Sequence, residues 1–221
     1  MNILFEDEHI IIVNKAPGLP VQEGKNKSLK SLQALVENHI EELELKTVQL
    51  GLVHRIDQPT SGIVIFAKTP EALANLNQQF QDRKVKKTYW AVVEHKPSEE
   101  TEVLTHWLKK DQRGNKSFYF PEEVKGSKKA ILKYQFVKSS DRYHLLEIEL
   151  QTGRHHQIRA QLSAIGCPIK GDIKYGAKRT NKDGSIHLHA HSMSIQHPVS
   201  GTLMTFEAEV PDEVLWQWFK A

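Results

Sequence analysis

Short apolar runs separated by turns, several following one another with no helix between, most limit how this chain can fold. Ile3-Leu4-Phe5, an acidic turn and Ile10-Ile11-Ile12-Val13 read as a β-hairpin. Gly62–Lys68 reads as a buried strand, followed by strands at Tyr89–Val93, Ala130–Val137, Tyr143–Leu150, Ile186–Ile195 and Thr202–Val210. Strands that succeed each other directly pair antiparallel, because a parallel return needs a long crossover. Helices are fewer. Ser28 reads as the N-cap of a helix reaching about Leu45, with Leu29, Leu32, Leu35, Val36, His39, Ile40 and Leu43 on one face. Thr69-Pro70-Glu71 opens a second, threonine as cap and proline at the first helical position. A third carries Ile158, Leu162 and Ile165 and stops at Gly166, and a short C-terminal one carries Trp216, Trp218 and Phe219. The expected class is α+β, a mixed, largely antiparallel sheet with flanking helices. Residues 1–221 read as one domain, with 96–128, the least patterned stretch, as an insertion or mobile segment.

With 221 residues, 39% hydrophobic and 26% charged, the chain has an ordinary globular composition and can bury a substantial core. Its single cysteine, Cys167, excludes an intramolecular disulfide. The N-terminus turns acidic at Glu6-Asp7-Glu8, which is not a signal peptide, and no apolar run reaches membrane-spanning length. A cytoplasmic enzyme or binding protein is the expectation. Net charge is +3, but residues 1–50 hold five Lys/Arg against eight Asp/Glu, so the positive balance lies in residues 51–221. Basic clusters fall at Arg83–Lys87, at Lys109-Lys110 with Arg113 and Lys116, at Lys125, Lys128 and Lys129, and at Lys178-Arg179. Such clusters fit a polyanionic partner, and equally fit lysines that only keep a surface soluble.

Two segments carry chemistry. In Leu52-Val53-His54-Arg55-Ile56-Asp57-Gln58-Pro59-Thr60-Ser61-Gly62, Asp57 stands at the mouth of a turn between apolar runs, a rigid mount for a reactive carboxylate. Taken alone, the segment is better read as a turn aspartate bonding its own backbone. In Leu150-Gln-Thr-Gly-Arg-His-His-Gln-Ile-Arg-Ala-Gln-Leu162, a glycine turn sets polar side chains beside a helix N-terminus, where an anionic group is well placed. Arg159 lies next to the apolar stripe of Ile158 and Leu162, and a partly buried arginine needs a carboxylate partner. An exposed arginine on a surface helix fits that segment as well.

Together the segments closely resemble the RluA-type family of pseudouridine synthases. The family pattern is His-Arg-Leu-Asp with Thr-Ser-Gly, then Lys-x-Tyr, then Gly-Arg-x-His-Gln-[Leu/Ile]-Arg. His54-Arg55-Ile56-Asp57, Thr60-Ser61-Gly62, Lys87-Thr88-Tyr89 and Gly153-Arg154-His155-His156-Gln157-Ile158-Arg159 match it in order and spacing. Gly166-Cys-Pro168, Gly171-Asp172, Tyr175-Gly176, Leu188-His189-Ala190 and His197-Pro198 with Gly201 match as well, so the resemblance spans roughly residues 3–210. Ile56 stands for the usual leucine, and in Lys15-Ala16-Pro17-Gly18 the proline comes one place later than the family norm. No separate RNA-binding domain precedes the hairpin, so the expectation is that one catalytic domain reads the substrate itself.

The resemblance implies an isomerase that turns specific uridines of ribosomal or transfer RNA into pseudouridine, with no cofactor and no metal. It implies that Asp57 is the catalytic carboxylate, that Tyr89 stacks on the extruded base, and that Arg159 pairs with Asp57, keeping it charged and oriented. Arg55 fills the space left by the flipped base and Ile158 walls the pocket, while His54, Thr60, Arg154 and Gln157 belong to the substrate-binding set. The expected partner is RNA; a monomer is the default expectation, with no obligate protein partner evident, no membrane and no metal.

Two other readings compete. His155-His156 and the alternating His187, His189 and His191 raise a zinc hydrolase, but no metalloprotease spacing and no cysteine pair accompanies them. A catalytically idle RNA-binding protein on the same fold is the other, against which stands the retention of Asp57, Tyr89 and Arg159 together.

Overall fold

The computed structural model describes residues 1–23, 30–43 and 50–221. The chain divides into two compact units, one of Met1–Lys86 with Ala190–Asp212, the other of Lys87–His189 with Glu213–Ala221.

The first unit begins with the expected hairpin, β1 (Asn2–Glu6) and β2 (Ile10–Lys15). After α1 (Leu32–Glu42) come β3 (Gly51–Leu52), β4 (Ser61–Ala67) and α2 (Pro70–Gln81). Ser28, expected as the cap of α1, and Leu45, its expected end, lie outside the described residues; Ser31 caps the helix, accepting from Ala34 N–H. Strand β2 lies antiparallel between β1 and β4, and β3 also pairs with β4. Every residue of β4 is buried, which is why it reads as one unbroken apolar run instead of an alternation. Ile10, Ile12, Ile63 and Ile65 meet Ala72 and Leu76 of α2 in the core of this unit. Helix α2 starts as its sequence dictates, Thr69 accepting Ala72 N–H and Pro70 needing no donor of its own.

In the second unit β5 (Lys86–Val93), β6 (Thr101–Asp111), β7 (Lys116–Phe120), β8 (Lys128–Ser139) and β9 (His144–Leu150) form antiparallel ladders in the order β5-β9-β8-β6-β7. Helix α3 (Gln157–Ala164) follows, then a 3₁₀ turn at Ile173–Tyr175. The final strands are β10 (Leu188–Gln196), with which the chain passes back into the first unit, and β11 (Leu203–Glu207), and α4 (Val214–Lys220) ends the chain. In the first unit β10 lies beside β4, and β11 pairs with it antiparallel. Gly62 at φ +111 allows this approach: a Cβ there would come within 2.3 Å of the Ala190 carbonyl.

The unpatterned stretch 96–128 holds β6 and β7. Its strands do not read as strands because the face covered by α3 carries His106, Lys110 and Ser117 beside Leu104 and Leu108, while the bare face carries Val103, Trp107 and Phe118. Apolar and polar residues fall on both faces, so the period-two signal cancels. Helix α3 stops as expected, Cys167 N–H reaching Leu162 O and Gly166 N–H reaching Ser163 O, with Gly166 at φ +74. The architecture is the expected α+β one.

Candidate active site

In the first unit Asp57 opens a tight turn, its carbonyl accepting Thr60 N–H at 3.0 Å. The neighbouring turn after β2 is bonded to it on both sides, Gly18 N–H donating to Gln58 O at 2.9 Å and Gln58 Nε2 donating to Gly18 O at 3.0 Å. The late proline of that turn therefore leaves a Gly18 at φ +83 that still meets the aspartate segment.

Lys15 ties the two turns from beneath. It is 1% exposed, and its ammonium donates to the carbonyls of Ala16 at 3.0 Å, Leu19 at 2.8 Å and Gln58 at 3.1 Å. Burial pulls its pKa down to about 7, against the upward pull of the Asp57 carboxylate. In the sequence this residue reads only as part of a turn. A signal is nonetheless there: a lysine directly after Ile10–Asn14, at the end of a strand whose apolar residues are wholly buried.

The other candidates of this unit take different places. Arg55 is exposed. His54 is held in the fold, its Nε2 accepting Ile65 N–H at 3.2 Å and its ring stacked 5.1 Å from Phe80. Thr60 is buried, and its Oγ1 has no hydrogen-bond partner among the described residues.

In the second unit Tyr89 is 8% exposed on β5, and burial lowers the pKa of Lys87 two residues before it. The Gly153–Arg159 segment is knit by Gln157, whose Oε1 accepts Arg154 N–H and Thr152 Oγ1 while its Nε2 donates to Ile131 O. Arg154 Nε donates to Lys129 O at 3.0 Å, and Ile158 is 4% exposed. These bonds give Gln157 and Arg154 a clear task in fixing the turn. His156 stands at φ +53 at the start of α3, and burial, then the charge of Arg159, holds its pKa down at about 2, so the ring is neutral.

Arg159 has a buried carboxylate partner that sequence reasoning did not name. Asp172, thirteen residues on, accepts Arg159 Nε at 2.6 Å and Nη2 at 2.8 Å, a forked ion pair in which the side chains are 6% and 1% exposed. The Tyr175 ring lies 5.0 Å from the guanidinium carbon. The histidines of the alternating run have protein partners: His187 meets Glu213 Oε2 at 3.0 Å and stacks on Trp216, and His191 meets Ala208 O. Among the described residues no three His, Cys, Asp or Glu side chains come together as a metal site, and no helix is long and apolar enough to cross a membrane.

Comparison with known proteins sets these residues in a family. A family model described as RNA pseudouridylate synthase matches residues 9–164, which include Asp57, Tyr89 and Arg159. An RNA pseudouridine synthase of Bacillus subtilis is 33% identical over 219 residues, 97% of this chain and 70% of its own length. Ribosomal large subunit pseudouridine synthase D of Nitrosomonas europaea is 33% identical over 228 residues, 97% of this chain and 63% of its own. The solved structure of human RNA pseudouridylate synthase domain containing 4 has the same fold, with a TM-score of 0.81 at 24% identity, covering 99% of this chain and 92% of that one. The chain belongs to the RNA pseudouridylate synthase family.

Proposed function

We propose that this chain isomerises one or more specific uridines of ribosomal or transfer RNA to pseudouridine, with Asp57 as the catalytic carboxylate. The observation that carries the reading is the mount of Asp57: a turn whose next residue, Gln58, is bonded to the facing turn and to the buried ammonium of Lys15. A turn aspartate with only its own backbone to satisfy needs no such scaffold, whereas a reacting group held to a fraction of an ångström does.

The reaction breaks the bond from uracil nitrogen 1 to the ribose, turns the base and forms the bond from carbon 5, the carbon's proton leaving as nitrogen 1 regains one. Bonds are exchanged within one nucleotide, so it takes no electron, no leaving group and no second substrate. The uridine must leave its stack to be reached. Arg55 fills the gap, Tyr89 stacks on the extruded base, Ile158 walls it, and Arg159 supplies the positive charge for the Asp57 carboxylate. His54, Thr60, Arg154 and Gln157 belong to the substrate-binding set, and the bonds of His54, Arg154 and Gln157 also fix the segments that carry these groups. The exposed lysines at 84, 86, 109, 110, 125, 128 and 129 bind phosphates. Some relatives are named for the ribosomal large subunit, which favours ribosomal RNA as the target. The protein acts as a monomer in the cytoplasm.

Pseudouridine mapping of cellular RNA, with and without this protein, tests the reading. At least one site should disappear with the protein and return with its wild-type form; an unchanged map in every RNA class would contradict it.

A further inference from the structure

Arg159 is held more firmly than a helix surface requires. Besides the forked pair with Asp172, its guanidinium lies against Tyr175, whose hydroxyl accepts Ser117 N–H at 2.7 Å, donates to Ser117 O at 3.3 Å and meets His156 Nδ1 at 3.0 Å. Since His156 is neutral, it meets the tyrosine hydroxyl without setting a second positive charge beside Arg159. Asp172 is locked in turn. Its N–H donates to Ile169 O, and its carbonyl accepts both Tyr175 N–H and Ala177 N–H. Gly171 before it stands at φ +89, where a Cβ would come within 2.8 Å of Ser185 O. Every part of the cradle is therefore pinned to backbone.

A buried ion pair is a poor way to add stability, because desolvating both charges offsets their attraction. A pair this deep, forked and cross-braced is well suited to holding one guanidinium in one plane. We infer that Asp172, seconded by Tyr175, is a positioning residue for the reaction, setting the orientation in which Arg159 acts. The inference rests on the reading that Arg159 serves pseudouridine formation. Its own content is that a second carboxylate, one that never touches RNA, decides how well the arginine does so.

A double-mutant cycle in the single-turnover rate at saturating RNA tests it, using Asp172→Asn, Arg159→Lys and the double variant, with RNA affinity and thermal unfolding measured on each. Asp172→Asn should slow the rate on the order of tenfold to a hundredfold, the scale of a misplacement near one ångström. Its RNA affinity should stay within about twofold, because phosphate contacts come from other residues. In the Arg159→Lys background, which has no fork left to orient, adding Asp172→Asn should change the rate little. A folded Asp172→Asn protein at the wild-type rate, or effects that multiply in the double variant, would show that the pair only holds the fold. If Asp172→Asn does not fold, Tyr175→Phe takes its place in the cycle, keeping the ring and losing the hydroxyl tie, with the same non-multiplying result expected and the same contrary results. The wild-type protein and Asp57→Asn run alongside: no wild-type turnover, or full turnover by Asp57→Asn, fails the underlying reading and this inference with it.

Discussion

Lys15 Nζ donates to the carbonyl oxygen of Gln58 at 3.1 Å, so a buried cation is tied to the residue that directly follows Asp57. The hydrogen bond joins the end of a core strand to the turn that presents the carboxylate, and it makes the position of Asp57 a consequence of the core packing.

Replacing that lysine should damage both stability and chemistry. Lys15→Met keeps the length of the stem but takes this donor from the Ala16 and Leu19 carbonyls and leaves Gln58 O with Gly18 N–H alone, at a cost of about 1–3 kcal/mol. Loss of the tie should also slow turnover at saturating RNA while RNA affinity stays near wild type. Chemical denaturation and single-turnover kinetics on one preparation check both; wild-type kinetics in a destabilised protein would show that the tie serves only the fold.

His187 sets a pH dependence of stability. Burial first, then the charge of Lys170, brings its pKa to about 4, with Glu213 and Asp183 pulling upward. The unfolded chain takes up this proton near pH 6.5 and the folded chain only near pH 4, so the unfolded state binds more protons in between. Stability should be unaffected above about pH 6.5, fall as pH drops toward 4, and stop falling from this cause below that. The full loss is about 3 kcal/mol, at about 1.4 kcal/mol for each pH unit between the two values. Glu213, whose own pKa is lowered, adds its loss only below its ordinary carboxylate range. His187→Gln should flatten the slope between pH 6.5 and 4 in unfolding titrations, and an unchanged slope would mean another group carries it.

The basic segments should set affinity and leave the chemistry alone. Lys109, Lys110, Lys125 and Lys128 are exposed. Changing three of them to glutamine should weaken RNA binding and flatten its log–log salt dependence by about one for each phosphate no longer neutralised, with the rate at saturating RNA preserved. Binding isotherms at several salt concentrations test this; a retained affinity with a reduced saturated rate would place these lysines in the chemistry instead.

Turnover should also survive exhaustive chelation and dialysis, since the isomerisation exchanges bonds within one nucleotide. Assays with RNA refolded before chelation separate the enzyme's needs from those of the RNA. An absolute requirement for zinc or magnesium on the enzyme would contradict the proposed chemistry.

How far the sequence could be read depended on whether a feature is local. The Thr69–Pro70 cap, the unbroken apolar run of β4 and the glycine stop of α3 are decided within a few residues, and each stands where expected. The β6–β7 hairpin was illegible because Trp107 and Phe118 on its bare face look as core-like as Leu104 and Leu108 on the covered one. Arg159 could be read as needing a carboxylate, but Asp172 becomes its partner only through the turn at Gly171, which spacing along the chain does not show. His54 and Gln157 stand inside the family pattern as candidate site residues, and their bonds to Ile65 N–H and Ile131 O, which spacing along the chain does not show, also tie them to the scaffold.

The most direct test of the account is Asp57→Asn in a single-turnover reaction on the cognate RNA, with RNA binding and thermal unfolding measured in parallel. The amide nearly keeps the shape of the carboxylate but cannot act as an anionic nucleophile or base. The account predicts a protein that folds, binds RNA about as well as wild type, and forms no pseudouridine beyond what slow deamidation back to aspartate supplies. Substantial pseudouridine formation by a verified Asp57→Asn protein would contradict it.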